Sequence, residues 1–351
     1  MEEEKLQLSN DRLKALNNFI DLNLRNRTKS TNYHLLYDVS KVMTFNLKLG
    51  DRHIKEPDKP YSLEETRKIV LDFYSDVDSE LYEKVNSIVS GNSKFDFRMY
   101  YLKDVDDFSE VDENGFQKHT KGACVDSHNG ISVVYVPCKG NINDAYLLAH
   151  EVSHTFDLAD GLNPTRNVMG EVTPYSFEAM FGNYLVKRGI ISEKEAAERE
   201  KREIISHYDD GVETFAKLEL MEIKERQREI KQEDISKIQE KYKINNGQLD
   251  YILERMMKGE NNVDYRARYM MAQLVYPHYM EEYERNPKEA VKKFKEYFSR
   301  IKDNDFEGSL RALGIDPKME SLSMLIDKDN KRISNIEKVR HQEKNGFEDI
   351  E

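Results

Sequence analysis

The segment His150-Glu151-Val152-Ser153-His154 places two imidazoles and a carboxylate within five residues. It follows Asn141-Ile-Asn-Asp-Ala-Tyr-Leu-Leu-Ala149, an apolar run that predicts a buried helix with Asn141 or Asn143 at its start. On a helix, His150 and His154 stand about one turn apart on one face, so both rings can reach a single metal ion. Glu151 is offset by one position, where its carboxylate can meet a water on that ion. Two histidine ligands, an open coordination position and a glutamate base are the parts of zinc-assisted peptide-bond hydrolysis. Leu147, Leu148 and Ala149 bury the helix. Buried imidazoles need partners, and a metal is the simplest one. The expected cofactor is therefore one Zn2+ per chain.

Such a zinc needs a third protein ligand. Glu171 and Glu178 compete for that place on the next helical run, which extends to Lys187 and stops at Gly189. Seven residues of helix separate them by roughly 10 Å of rise, so the two are not expected to share one ion. Thr173-Pro174 reads as a cap and first-turn pair, which seats Glu178 inside the helix and Glu171 at its entrance. Local geometry leans to Glu178 and leaves the choice open. The other glutamate would support a ligand from behind or lie on the surface. Asp157, about one turn past His154, can accept a hydrogen bond from a ligand histidine and fix its tautomer.

The elements that must hold these residues are mostly helical. Apolar residues at helical spacing mark Leu6 to Leu24, and Ser62-Leu-Glu-Glu65 has the form of a capping box opening a helix through Phe73. Another helix is predicted for Glu80 to Val89. Between Phe95 and Pro137 the period changes. Phe95 to Tyr101 and Gly130 to Val136 read as strands, with turns at Asn114-Gly115 and Asn129-Gly130. The strand ending at Val136 is a candidate edge for an extended peptide, or else an ordinary core strand. Gly161 and Asn163-Pro164 should end the active helix. Residues 193–258 read as charged helices with solvated faces, interrupted at Gly211 and at Asn245-Asn246-Gly247. Helices follow over Tyr265 to Arg285, Pro287 to Ile301 and Phe306 to Leu313. A polar tail is expected after Lys328.

With 34% charged residues and no apolar run long enough for a bilayer, the sequence predicts a soluble chain without a membrane span. Its net charge of −12 argues against nucleic-acid binding. The acidic N-terminus is not a secretory signal, and Cys124 and Cys138 form neither a disulfide framework nor a metal-site spacing. A cytoplasmic setting is the expectation.

Gly122-Ala-Cys-Val-Asp-Ser127, then a strand, then Gly140 through His154, resembles the oligoendopeptidase F and thimet oligopeptidase family of zinc peptidases. Glu171-Val-Thr-Pro-Tyr-Ser-Phe-Glu178 resembles that family's third-ligand helix, where the ligand glutamate comes first. The resemblance therefore implies Glu171 as the third ligand. Tyr61 to Val70, Tyr265 to Tyr269, and Asn304 through Pro317 match weakly but in order, so the likeness covers about Asn32 to Asp327. It implies an oxyanion-binding tyrosine at Tyr269, with Tyr265 as second choice. The family usually has Gly where Ser153 stands and often His where Asp157 stands. A histidine common shortly before the tyrosine is absent from Met256 to Asn262.

The expected fold is mainly α with a small β-sheet, a zincin of the Glu-ligand type with helical sub-domains flanking a cleft. Residues 1–31 would form a helical extension, 32–327 the catalytic domain and 328–351 the polar tail. The expected function is hydrolysis of short oligopeptides, with a peptide as the partner. A weakly active or inactive relative that holds zinc and binds peptides is the alternative.

Overall fold

The structure, a computed structural model, describes residues 5–26, 59–104, 124–128, 131–157, 169–226, 228–258, 263–302 and 305–342. In order these form α1 (Asn10–Asn26), α2 (Leu63–Val77), α3 (Ser79–Val89), β1 (Phe95–Tyr101), β2 (Cys124–His128), β3 (Ile131–Cys138), α4 (Asn143–Asp157) and α5 (Val172–Lys187). Then come α6 (Glu193–Glu225), α7 (Gln232–Tyr242), α8 (Asn246–Met257), α9 (Val263–Arg285), α10 (Pro287–Lys302), α11 (Phe306–Ala312) and α12 (Met319–Gln342). The mainly α architecture with one small sheet agrees with the periodicities. The turns at Asn114-Gly115, Asn129-Gly130 and Asn163-Pro164, and the helix stop at Gly161, lie outside the described residues.

Helix starts are fixed locally. Ser62 and Glu65 form the expected capping box, with Ser62 N donating to Glu65 Oε2 at 2.8 Å. Ser192 and Asn245 open α6 and α8 in the same way. The turn into α4 is tied by one side chain. The Asp144 carboxylate accepts from the backbone N–H groups of Lys139, Gly140 and Asn141 at 2.9, 2.7 and 3.1 Å. Gly140 has φ +87°, a conformation that favours glycine. These contacts fix how β3 hands over to the helix that carries the two histidines.

The sheet has the order β1-β3-β2, with β1 parallel and β2 antiparallel to β3. β3 is therefore the central strand and not an edge. Val133, Val134, Tyr135 and Val136 are all buried, as expected for a strand covered on both faces. Strand order is a long-range property that local sequence does not contain. The strand with an open side next to α4 is β2, which pairs with β3 alone among the described residues.

α4 packs on α2, α5 and β3; α5 packs on α9, and α9 on α6. One apolar core joins them, running from Leu16 and Ile20 of α1 to Leu325 and Ile326 of α12. Phe181 lies near its centre, edge-on to Phe73 and Tyr146 at centroid distances of 5.2 Å each. None of the described helices is long and apolar enough to cross a membrane.

Three local expectations need correction. Gly211 does not interrupt α6, which runs unbroken for 33 residues. A Cβ there would stand 2.4 Å from Met270 Sδ, so the glycine admits a close approach of α9. The charges of α6 are not only a solvated face: Lys201, Lys217, Glu213 and His207 are all buried. The segment after Lys328 is helical to Gln342. Arg332 pairs there with Asp329 and Glu200, and Ile336 joins Ala197 and Ile204 in a small apolar cluster. Long-range partners compensate a composition that reads as polar.

Phe181→Ala should lower the unfolding free energy by about 3–5 kcal/mol. Urea unfolding followed by circular dichroism would check this, and a change under about 1 kcal/mol would mean that the ring is not packed as described.

Candidate active site

His150 and His154 sit one turn apart on α4 with ring centroids 5.2 Å apart and planes at 78°. Both belong to the turn whose backbone is held by α2, where the Tyr74 hydroxyl donates to the Ala149 carbonyl at 2.9 Å. His154, Glu151 and Glu171 are each less than 7% exposed, and Glu178 is 9% exposed. One donor atom each from His150, Glu151 and His154 lie within 4.8 Å of one another.

The two competing glutamates meet His150 at different nitrogens. Glu171 occupies the N-cap position of α5 but makes no side-chain cap bond. The predicted cap at Thr173 is therefore displaced by two residues. The Glu171 carboxylate instead turns toward α4, with Oε2 3.3 Å from His150 Nε2 and 3.7 Å from His154 Nε2. Glu178, two turns on, faces His150 Nδ1 at 3.0 Å and is paired with Arg199 of α6.

These residues fit a divalent ion. Ligand atoms about 2.0–2.1 Å from a tetrahedral zinc stand roughly 3.3 Å apart. The Glu171–histidine separations are close to that edge length. The Oε2 atoms of Glu171 and Glu151 and Nδ1 of His154 are buried without a hydrogen-bond partner. An acceptor that is buried beside two imidazoles and makes no hydrogen bond calls for a cation. The Asp157 side chain, the expected partner of a ligand histidine, lies outside the described residues, as does the side chain of Tyr265.

Charge in the cluster is uneven. Burial opposes a charge on His150, but the carboxylates of Glu171 and Glu178 outweigh it and hold its pKa well above the usual value. Burial, with the charges of His150 and Arg268, outweighs the pull of Glu171 and brings His154 down to about 3, so it is neutral. Burial would raise Glu171, yet His154, His150 and Arg268 together hold it at about 2. Glu178 is likewise low, because Arg199 and His150 overcome its burial. Burial pushes Glu151 up to about 8.

Four residues of the site were not recognised in the sequence as part of it. Arg268 of α9 reaches Glu171 Oε1 with its Nε at 3.2 Å. Arg199 holds Glu178 and lies over the Tyr146 ring at 4.0 Å. Tyr175 packs edge-on to His150 at 5.3 Å. Its hydroxyl is hydrogen-bonded to the buried His207. The His207 ring stacks on Tyr269 at 4.8 Å. Tyr269 also lies edge-on to Tyr175 at 6.4 Å, and its hydroxyl accepts from Arg268 Nη2 at 3.1 Å. Arg268 and Tyr175 lay next to residues singled out in the sequence, and no local pattern marks Arg199 or His207.

No protein-family model and no curated protein matches the chain. Solved structures do share its fold. A provisionally named peptidase from Chlamydophila abortus aligns with a TM-score of 0.53 at 14% identity, over 94% of this chain and 56% of that one. PZ peptidase A, solved with an inhibitor, gives 0.55 at 11% identity over 94% and 59%. A provisionally named oligoendopeptidase F gives 0.54 at 11% identity over the same shares. The chain thus spans little more than half the length of the structures it matches. The likeness is one of fold, and the fold is shared with structures described as peptidases.

Metal uptake should release protons at pH 7. His150 must give up the proton that its raised pKa retains, and a cation beside Glu151 favours its carboxylate. About one to two protons should appear per ion, and affinity should fall as pH falls below the His150 pKa. Titration calorimetry in buffers of different ionisation enthalpy reads this directly. Heats independent of the buffer would mean that His150 is already neutral.

Proposed function

We propose that this chain is a zinc-dependent peptidase that hydrolyses peptide bonds in short oligopeptides. The observation that carries the reading is the approach of Glu171 Oε2 to the Nε2 atoms of both His150 and His154. Together they would hold one zinc per chain in a zincin-type site, with Glu151 beside them. Zinc, when bound, supplies a Lewis acid for the scissile carbonyl and acidifies a water.

The chain's own groups do the rest. His150 donates its Nδ1–H to Glu178, so the proton it gives up on metal uptake is the one on Nε2, which faces Glu171 and His154. Neutral His154 needs no deprotonation before it ligates. Glu151 takes a proton from the attacking water and returns it to the leaving amine. Its burial excludes bulk water and favours a base that is ready to exchange its proton near neutral pH. Tyr269 is the candidate donor to the oxyanion, since accepting from Arg268 does not use its hydroxyl proton. The side of β2 that pairs with no described strand supports binding of an extended peptide as an added strand beside α4. The setting proposed remains the cytoplasm, with a peptide as the binding partner.

A second reading, a zinc-holding peptide-binding protein without useful activity, draws on one observation. A cavity of about 660 Å3 opens beside Glu178 and Tyr175 without either metal-site histidine in its wall. Its volume suits a small ligand.

A quenched fluorescent peptide library separates the two readings. The zinc-loaded protein should cleave it, and Glu151→Gln should lower kcat/KM by about 10²–10⁴ while zinc content stays unchanged. Peptide binding with no cleavage by the unaltered protein would favour the second reading.

A further inference from the structure

Arg268 is 5% exposed and comes from α9, a helix that contributes neither histidine nor either glutamate to the cluster. Its Nε lies 3.2 Å from Glu171 Oε1, while Oε2 of the same carboxylate faces the two imidazoles. The two oxygens of Glu171 are therefore divided between a fixed cation on one side and the metal position on the other. A carboxylate can bind zinc through one oxygen or through both. Binding through both would fill the fourth position, which hydrolysis must leave for water.

We propose that Arg268 is a positioning residue that keeps Glu171 a one-oxygen ligand and so leaves the fourth coordination position open. The proposal rests on the zinc-peptidase reading above. Arginine suits this task because it is always charged, and here Nε meets Oε1 as an ion pair and not as an aligned hydrogen bond. A second contact fixes its place, since Nη2 donates to the Tyr269 hydroxyl. The same residue thereby couples Glu171 to Tyr269. Arg199 plays the matching part for Glu178 on the opposite nitrogen of His150. Each glutamate at His150 is thus held from behind by an arginine on a different helix. The site is then preformed before any ion arrives.

The test is zinc affinity, measured by competition with a chromogenic chelator on the full chain, with circular dichroism to follow folding. R268M should weaken zinc binding by about ten- to a hundred-fold, and R268K should fall between it and the unaltered protein. In an E171Q background the same R268M change should have little further effect, because the arginine acts through that carboxylate. Cobalt substitution gives a second readout that a merely structural role would not move. The unaltered protein should show the strong visible bands of a four-coordinate ion, and R268M the weaker bands of a higher-coordinate one. A crystal structure of the zinc-loaded unaltered protein reads the same point without any variant. Glu171 should bind through Oε2 alone, with Arg268 still on Oε1. Both oxygens on the metal, or unchanged affinity in R268M and R268K, would overturn the proposal while leaving the peptidase reading intact. An unaltered protein that takes up no zinc would overturn both.

Discussion

Glu171 Oε2 stands between the Nε2 atoms of His150 and His154, in a part of the core where every neighbouring carboxylate is also buried. Placing an ionised group there costs several kcal/mol unless geometry and partners compensate. The structure meets this constraint in layers. Glu171 and Glu178 bracket His150, Arg268 and Arg199 hold the two carboxylates from outside, and Tyr175 covers the edge of the ring. Glu151 alone has no such partner, and burial drives its pKa up to about 8. Glu171 and Glu178 are each paired with an arginine, but one oxygen of Glu171 and one of Glu151 stay buried without a hydrogen-bond partner.

The surrounding fold serves the accuracy of that cluster. α4 is fixed at its entrance by Asp144 and along its length by Tyr74, while aromatic rings of α2 and α5 fill the space behind it. The histidines and Glu178 therefore sit on two directly packed helices, and Glu171 is the N-cap residue of the second. α9 closes the third side and brings Arg268 and Tyr269 as consecutive residues. The resulting site depends on three helices, of which only the first carries a recognisable motif.

That division explains what the sequence reveals. The spacing of His150, Glu151 and His154 is legible because one turn of helix is a local property. The capping boxes at Ser62, Ser192 and Asn245 are legible for the same reason. Glu171 and Glu178 could not be separated by local geometry, since their roles depend on how α5 lies across α4. The family likeness favoured Glu171, and its carboxylate does approach both Nε2 atoms. The central place of β3, the continuity of α6 past Gly211 and the helix beyond Lys328 all follow from distant partners. Arg199, Arg268 and His207 are invisible for a further reason. In a chain with 34% charged residues, a buried charge looks like any solvated one until its partner is known.

The central claim is that two imidazoles of α4 and the carboxylate of Glu171 together hold a divalent ion. Metal analysis of the purified chain after dialysis against zinc, by plasma mass spectrometry, tests it most directly. The account predicts one zinc per chain in the unaltered protein and its loss in His154→Leu, with the helical circular dichroism signal retained. Substoichiometric zinc in the unaltered protein, or full retention in His154→Leu, would contradict it.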